Sequence, residues 1–427
     1  MKRFPYGKTF VVALGFLGIS VIWPIFNQFI PIFLQAGNPE FERQLLEAGR
    51  EVPQVVGFGL SPALAFFVMT WDNIINVFVQ PWAGSKSDKT WNRFGRRKPW
   101  ILMGAPIALI AFVLIPLANS VLAIMAFILI TNFGMALFRS PTVAWLGDLF
   151  PSEQRSRANG IINLMGGVGA AAALFGGGIL FDKLGRAAPF VGGALFMLVV
   201  LSLALRFVKE PERVEGSQEK DSGGVLENLR NVWQGENRSG IYVLLGILFW
   251  FMAYEALQTG LSSFGVFTLG LTPGRTSILV TLFAASFILF ALPSGLIASR
   301  IGRKPTINLG LIGLVVLFGT GYFIIQNEIT FAIILVLGGF CWALVNVNSL
   351  PLVYDYGDER KIGAYTGLYY FASQSAAILG PVLGGYMVES LGNQYRWLWM
   401  FSTVFMALAW LAIRGVKSKP QQPAMAS

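Results

Sequence analysis

The chain has no histidine, one cysteine and few charges: Asp, Glu, Lys and Arg make up only 13% of its 427 residues. Each scarcity excludes something. Without histidine, a proton carried inside a membrane must ride on a carboxylate. With the single cysteine, Cys341, no disulfide framework can form within one chain. Cys341 lies in an apolar run and reads as a small packed hydrophobe. There is no zinc-ligand spacing, no nucleotide-binding loop and no nucleophile constellation. No cofactor, no metal site and no enzymatic reaction are therefore expected, and pumping driven by ATP is not expected either. The low charge also argues against water as the main solvent, because soluble chains carry charge on about a quarter of their residues.

What is abundant is apolar sequence, at 55% of the chain. Runs of about 20 apolar residues recur throughout, the length that crosses ~30 Å of hydrocarbon. Such spans must be helices, because lipid satisfies no backbone group. The expected spans are 9–34, 58–83, 100–118, 121–149, 158–181, 188–208, 240–268, 276–298, 305–325, 329–353, 363–388 and 394–415. The first is too long for a signal peptide and reads as a spanning helix. The formal charge of +10 sits in alternate loops, as in Lys86 to Lys98, Arg206 to Arg238 and Arg300 to Lys304. That is the positive-inside pattern, with both termini in the cytoplasm of a cell inner (plasma) membrane protein. It excludes nucleic acid as the partner of these cations.

A charged, Gly- and Ser-rich stretch divides the chain. It gives an N-terminal half at 1–208, a cytoplasmic linker at 209–239 with a short amphipathic helix at Val225 to Trp233, and a C-terminal half and tail at 240–427. The halves resemble each other at an offset of 207 residues: Asp148 meets Asp355, Gly178 meets Gly385 and Gly185 meets Gly392. The fold class is thus an all-α membrane protein, twelve helices in two six-helix repeats. Proteins of that plan place their site between the halves, near the bilayer midplane.

Three ionisable residues fall deep in the spans: Asp72, Arg139 and Glu255. Charges there cost ~2.5–3.5 kcal/mol or more, which makes them functional candidates. Asp72 and Arg139 are expected to pair, or a proton or ligand to compete for Asp72; the alternative is a purely structural ion pair. Around them lie Trp23, Asn27, Gln28, Asn76, Asn132, Gln258, Asn346, Asn348, Tyr370 and Gln374. Amides and aromatic faces of this kind suit sugar hydroxyls and the apolar faces of a pyranose. A stripe of small residues, Gly169, Ala173 and Gly177, repeats as Ala376, Gly380 and Gly384 and is expected where the halves move against each other.

The loop "GSKSDKTWNRFGRRKP", Gly84 to Pro99, has an echo in "GLIASRIGRKP", Gly295 to Pro305. This pattern resembles the loop signature of the major facilitator superfamily. The resemblance implies a cytoplasmic gate at Gly84, Asp88, Gly95, Arg96 and Arg97, and at Gly295, Arg300, Gly302, Arg303 and Lys304. Ser299 stands where the second aspartate belongs, so the second latch should be weaker. The extended form, "VQPWAGSKSDKTWNRFGRRKPWILMGAP", resembles the sucrose–proton symporters, and "WDNIIN" resembles the "WDAIND" of the glycoside–cation symporters. "KEPER", from Lys209, resembles a Pro-Glu motif of facilitators. The implied activity is proton-coupled symport of a sugar or glycoside by alternating access. Efflux by proton antiport stays open, as does sodium coupling, though Arg139 in place of a helix-4 aspartate speaks against a sodium site. A receptor or scaffold is the third reading. Expected partners are a saccharide, the proton and the lipid bilayer, with the chain a monomer.

Overall fold

The computed structural model describes residues 4–210, 239–356 and 362–416. The linker helix expected at Val225 to Trp233, and the basic residues Arg360 and Lys361, lie outside the described residues. Among the described residues the chain is helical throughout, with one isolated two-residue bridge in the loop that holds Gly95.

The N-terminal half is built from α1 (Tyr6–Gln35), α2 (Pro39–Glu47), α3 (Pro62–Met69), α4 (Trp71–Asp88), α5 (Lys98–Leu114), α6 (Val121–Leu149), α7 (Ser152–Leu184) and α8 (Ala188–Phe207). The C-terminal half contains α9 (Ser239–Phe267), α10 (Pro273–Ile301), α11 (Arg303–Ile324), α12 (Glu328–Tyr356), α13 (Ile362–Ser390) and α14 (Trp397–Gly415). Among the described residues eleven spans are long and apolar enough to cross a membrane, with α3 and α4 counted as one. The twelfth, α13, has 29 residues, but Thr366, Tyr370, Ser373 and Gln374 dilute its apolar character.

Two differences from the expected spans matter. First, 58–83 is two helices in line. Ser61 caps the Leu64 N–H at 3.4 Å with Pro62 in the first turn, so the helix starts later than hydropathy alone indicates. Thr70 then interrupts it, its hydroxyl turned back onto the Phe67 carbonyl at 2.7 Å. Asp72 therefore sits in the first turn of α4, where the helix dipole favours an anion. Second, α2 is an added short helix. Asn38 caps it, and its two buried apolar residues, Phe41 and Leu45, fix which face docks.

Each half has its own core. Phe26, Phe29, Phe112, Phe138 and Phe190 fill the first, and Trp250, Phe264, Phe318, Phe331 and Trp399 the second. An even number of crossings puts both chain ends on one side, here called the terminal face. At the opposite, far face the halves are tied together. Gln35 donates to the Ser263 hydroxyl at 3.1 Å and accepts from the Tyr395 hydroxyl. Phe41 of α2 stacks on Phe267, with ring centroids 4.7 Å apart. Arg50 donates to the carbonyls of Thr268 and Gln326, just past the ends of α9 and α11, where helix dipoles favour a cation. Asp182 at the end of α7 accepts from Thr272 and from the Gly274 N–H of α10.

The halves meet where α7 crosses α10 and α3 crosses α13. The expected small-residue stripe lies one residue off this contact. A Cβ at Gly169 would meet Leu17, and one at Gly384 would meet Ala256, both within the glycine's own half. The close approach between halves instead uses the next residues round. A Cβ at Gly178 would fall 2.5 Å from the Gly274 carbonyl, and one at Gly385 2.7 Å from the Phe66 Cβ. Gly178 and Gly385 are repeat mates, so the contact is duplicated along with the sequence.

Candidate solute cavity and terminal-face latch

A cavity of about 290 Å³ lies between the halves. That is at the low end for small-molecule sites, which run ~300–1,000 Å³. Asn27 of α1 and Asp72 and Asn73 of α4 face it from one side. Glu255, Gln258 and Thr259 of α9, with Tyr370, Ser373 and Gln374 of α13, face it from the other. Tyr370 is 54% exposed although it lines the cavity, so the cavity is open. With the far face tied shut, the opening is on the terminal face.

The cavity brings two carboxylates together, one from each half. Asp72 lies within electrostatic reach of both Glu255 and Arg139. Its Oδ1 has no hydrogen-bond partner in the protein. The expected direct pair with Arg139 does not form: no contact of ion-pair length joins them. The register of α4 and α6 gives the reason. A Cβ on Gly84 would meet the Ser140 hydroxyl at 2.8 Å. Arg139 is thus level with residue 83, about 16 Å along the axis from Asp72. An arginine side chain closes only part of that gap.

Of the other sequence candidates, Asn27, Gln258, Tyr370 and Gln374 line the cavity. Trp23, Gln28, Asn76 and Asn132 do not; each keeps a buried polar atom without a protein partner in the N-terminal half. Asn346 is half-buried on α12 and also lies outside the cavity. Asn348 is an interhelical tie, donating to Ser294 at 2.9 Å and to the Leu344 carbonyl at 3.0 Å. Sequence reasoning missed Asn73, Thr259, Tyr369 and Ser373. All four lie next to a chosen residue, and Thr259 is also one helical turn beyond Glu255.

On the terminal face the loop motif folds into a dense cluster. Arg97 is 5% exposed and bridges Asp88 at 2.6 Å and Asp148 at 2.7 Å. It also donates to the Ser87 hydroxyl at 2.5 Å. Burial alone would lower the Arg97 guanidinium, but the Asp148 and Asp88 carboxylates hold it above its ordinary range. Arg96 pairs with Asp88 as well. Glu210, at the exit of α8, accepts from the backbone N–H groups of Arg96, Arg97 and Lys98 and from the Trp145 indole. A carboxylate there satisfies the open N–H groups at the start of α5. Gly95 permits this: its φ is +112°, and a Cβ on it would strike Glu210 at 2.4 Å.

The second copy differs. Among the described residues Arg303 pairs with Asp355 alone, and both are more than 40% exposed. Arg300 is exposed and outside the ion pairs among the described residues, and Lys304 donates to the Val416 carbonyl. A Cβ on Gly295 would meet nothing within 4 Å, so this glycine supports no close approach. Gly302, at φ +93°, ends α10 and begins α11. Among the described residues both latches keep their partners inside one half, and neither ties the two halves together.

Membrane-length helices in two packed halves, sealed on one face around a polar cavity open on the other, define a membrane transporter. The profile of the Major Facilitator Superfamily matches residues 9–276 and again 266–426, and the chain belongs to that superfamily. It is 25% identical over 334 residues to the uncharacterized MFS-type transporter YfkF of Bacillus subtilis (strain 168), covering 77% of this chain and 81% of that protein. It is 29% identical over 189 residues to the proton-associated sugar transporter A of Homo sapiens, covering 39% of this chain and a span equal to 25% of that longer protein. Among solved structures, the nucleoside transporter NupG superposes with a TM-score of 0.70 at 16% identity, covering 96% of this chain and all of that one. That likeness concerns the fold.

Proposed function

We propose that the protein is a proton-coupled symporter that moves a small polar solute, a saccharide, into the cell by alternating access. One observation carries this reading: Asp72 and Glu255, from different halves, face the same cavity. In a chain without histidine they are the groups suited to bind a coupled proton. When Asp72 is protonated, its charge no longer opposes Glu255, and the halves can close around a loaded site. Arg139, set toward the terminal face, draws the Asp72 proton off when that face is open. The saccharide reading rests on the lining. Asn27, Asn73, Gln258 and Gln374 offer donors and acceptors for hydroxyls, and Tyr370 and Phe251 offer flat apolar faces. Similarity to a proton-associated sugar transporter agrees with it.

The basic terminal-face loops support the reading that this face lies in the cytoplasm, in the inner membrane with both termini inside. The conformation described is then inward-open, and the monomer is the working unit. The test is uptake of labelled saccharides into proteoliposomes under an imposed pH gradient, with and without sodium. Accumulation that follows the pH gradient supports the proposal. If no saccharide binds or moves under any gradient, the saccharide reading is wrong; sodium dependence would remove the proton.

A further inference from the structure

A second cavity, of about 460 Å³, opens on the terminal face of the N-terminal half, where the ends of α1, α6 and α8 converge. Val11, Leu149, Phe207 and Val208 form its apolar walls, and Lys8 and Lys209 stand at its mouth. We propose that this groove binds an anionic phospholipid, the lysines holding the headgroup phosphate and the walls holding the start of an acyl chain.

Depth is the first argument. The groove lies at the ends of three spans, where headgroups meet hydrocarbon. Phe207, which lines it, is 61% exposed, placed as an interfacial aromatic is. Charge is the second. Lys8 spends one donor on the Leu149 carbonyl, at 2.6 Å, and keeps two. Lys209 makes no hydrogen bond and no ion pair among the described residues. The adjacent acid, Glu210, spends both oxygens on N–H donors and makes no ion pair with either lysine. Arg206, exposed in the last turn of α8, adds a third cation nearby. Basic pockets between spanning helices at the membrane surface recognise anionic headgroups in this way. A free anion would leave the apolar walls uncovered, which is why the lipid is favoured over soluble phosphate.

The position has a consequence. Lys209 precedes Glu210, the cap of the latch loop. A lipid that holds Lys209 also steadies Glu210 against the start of α5.

The experiment is native mass spectrometry of the purified full chain in detergent. Phosphatidylglycerol and phosphatidylcholine of matched acyl chains are added as competitors. The chain is expected to retain phosphatidylglycerol preferentially. The preference should fall about fivefold for each lysine removed, in Lys8→Gln and in Lys209→Gln. Lys209→Gln is the cleaner variant, because Lys209 makes no hydrogen bond or ion pair among the described residues that its loss would break; Lys209→Arg should restore the preference. Equal retention of the two lipids, or a preference unmoved by both variants, overturns the proposal. Displacement of phosphatidylglycerol by inorganic phosphate alone would assign the site to a soluble anion and also overturn it.

Discussion

In the N-terminal half, the loop between α4 and α5 closes around a buried arginine with two carboxylate partners, and a third carboxylate caps the loop. In the C-terminal half, the matching turn between α10 and α11 leaves a groove of about 400 Å³, lined by Gly295, Ser299, Arg303, Asn348 and Asp355. Both copies share the glycine, the arginine and the acid of the following span. They differ in two acids. Ser299 replaces the aspartate, and Ser418 follows Val416–Lys417 where Glu210 follows Val208–Lys209. Lys304 stands where the buried Arg97 does, and Arg303, the mate of Arg96, has Ser299 in place of an aspartate and stays more than 40% exposed. The duplicated backbone therefore does not by itself make a latch; the acids around it do.

The cavity repeats the contrast. The N-terminal half supplies an acid with an arginine in reach, and the C-terminal half an acid without one. The largest expected effect tests that difference. Asp72→Asn should reduce pH-driven uptake in proteoliposomes to the level of empty vesicles, with the variant still folded by circular dichroism. Glu255→Gln should leave measurable but weakened uptake. Equal loss in both would make the two acids equivalent and erase the asymmetry.

The next effects concern stability, read as thermal midpoints in detergent. Arg97→Ala strips a buried cation from Asp148 and Asp88, and should destabilise by ~3–5 kcal/mol. Arg303→Ala removes an exposed pair worth ~0–1 kcal/mol. A similar drop in the two variants would break the comparison. Gly295→Ala should stabilise by up to ~1 kcal/mol, since it gains helix propensity and meets no neighbour; any loss would show that the groove closes elsewhere in the cycle. The smallest effect is for Ser299→Asp. Restoring the aspartate beside Arg303 should add ~0.5 kcal/mol at low salt, and the gain should fade as salt is raised.

Much of this architecture was legible in the sequence. Span lengths and the 207-residue offset followed from lipid thickness and from paired glycines such as Gly185 and Gly392, which both adopt positive φ just past a helix. The interruption at Thr70 was not legible, because neither Gly nor Pro marks it. For the cavity, spacing by four picked out one stripe per helix, which captured Tyr370 and Gln374 but not their neighbours Tyr369 and Ser373. The direct pairing of Arg139 with Asp72 was expected because each depth was counted along its own helix, without the register of α4 against α6. Asn348 looked like a solute ligand in sequence; only its neighbours show that Ser294 occupies it. Glu210 left a motif, but its partners could not be inferred, because backbone amides leave no side-chain pattern.

That last point reaches into how the chain tolerates change. The loop side of the Glu210 cap is made of main-chain N–H groups, which every amino acid except proline supplies. The cap should accept almost any residue at positions 96 to 98 and reject proline at each of them. Glycine 95 alone is held to one identity. Drift in this loop is therefore limited by what Arg96 and Arg97 do with their side chains, while the cap itself persists as long as the loop keeps its length.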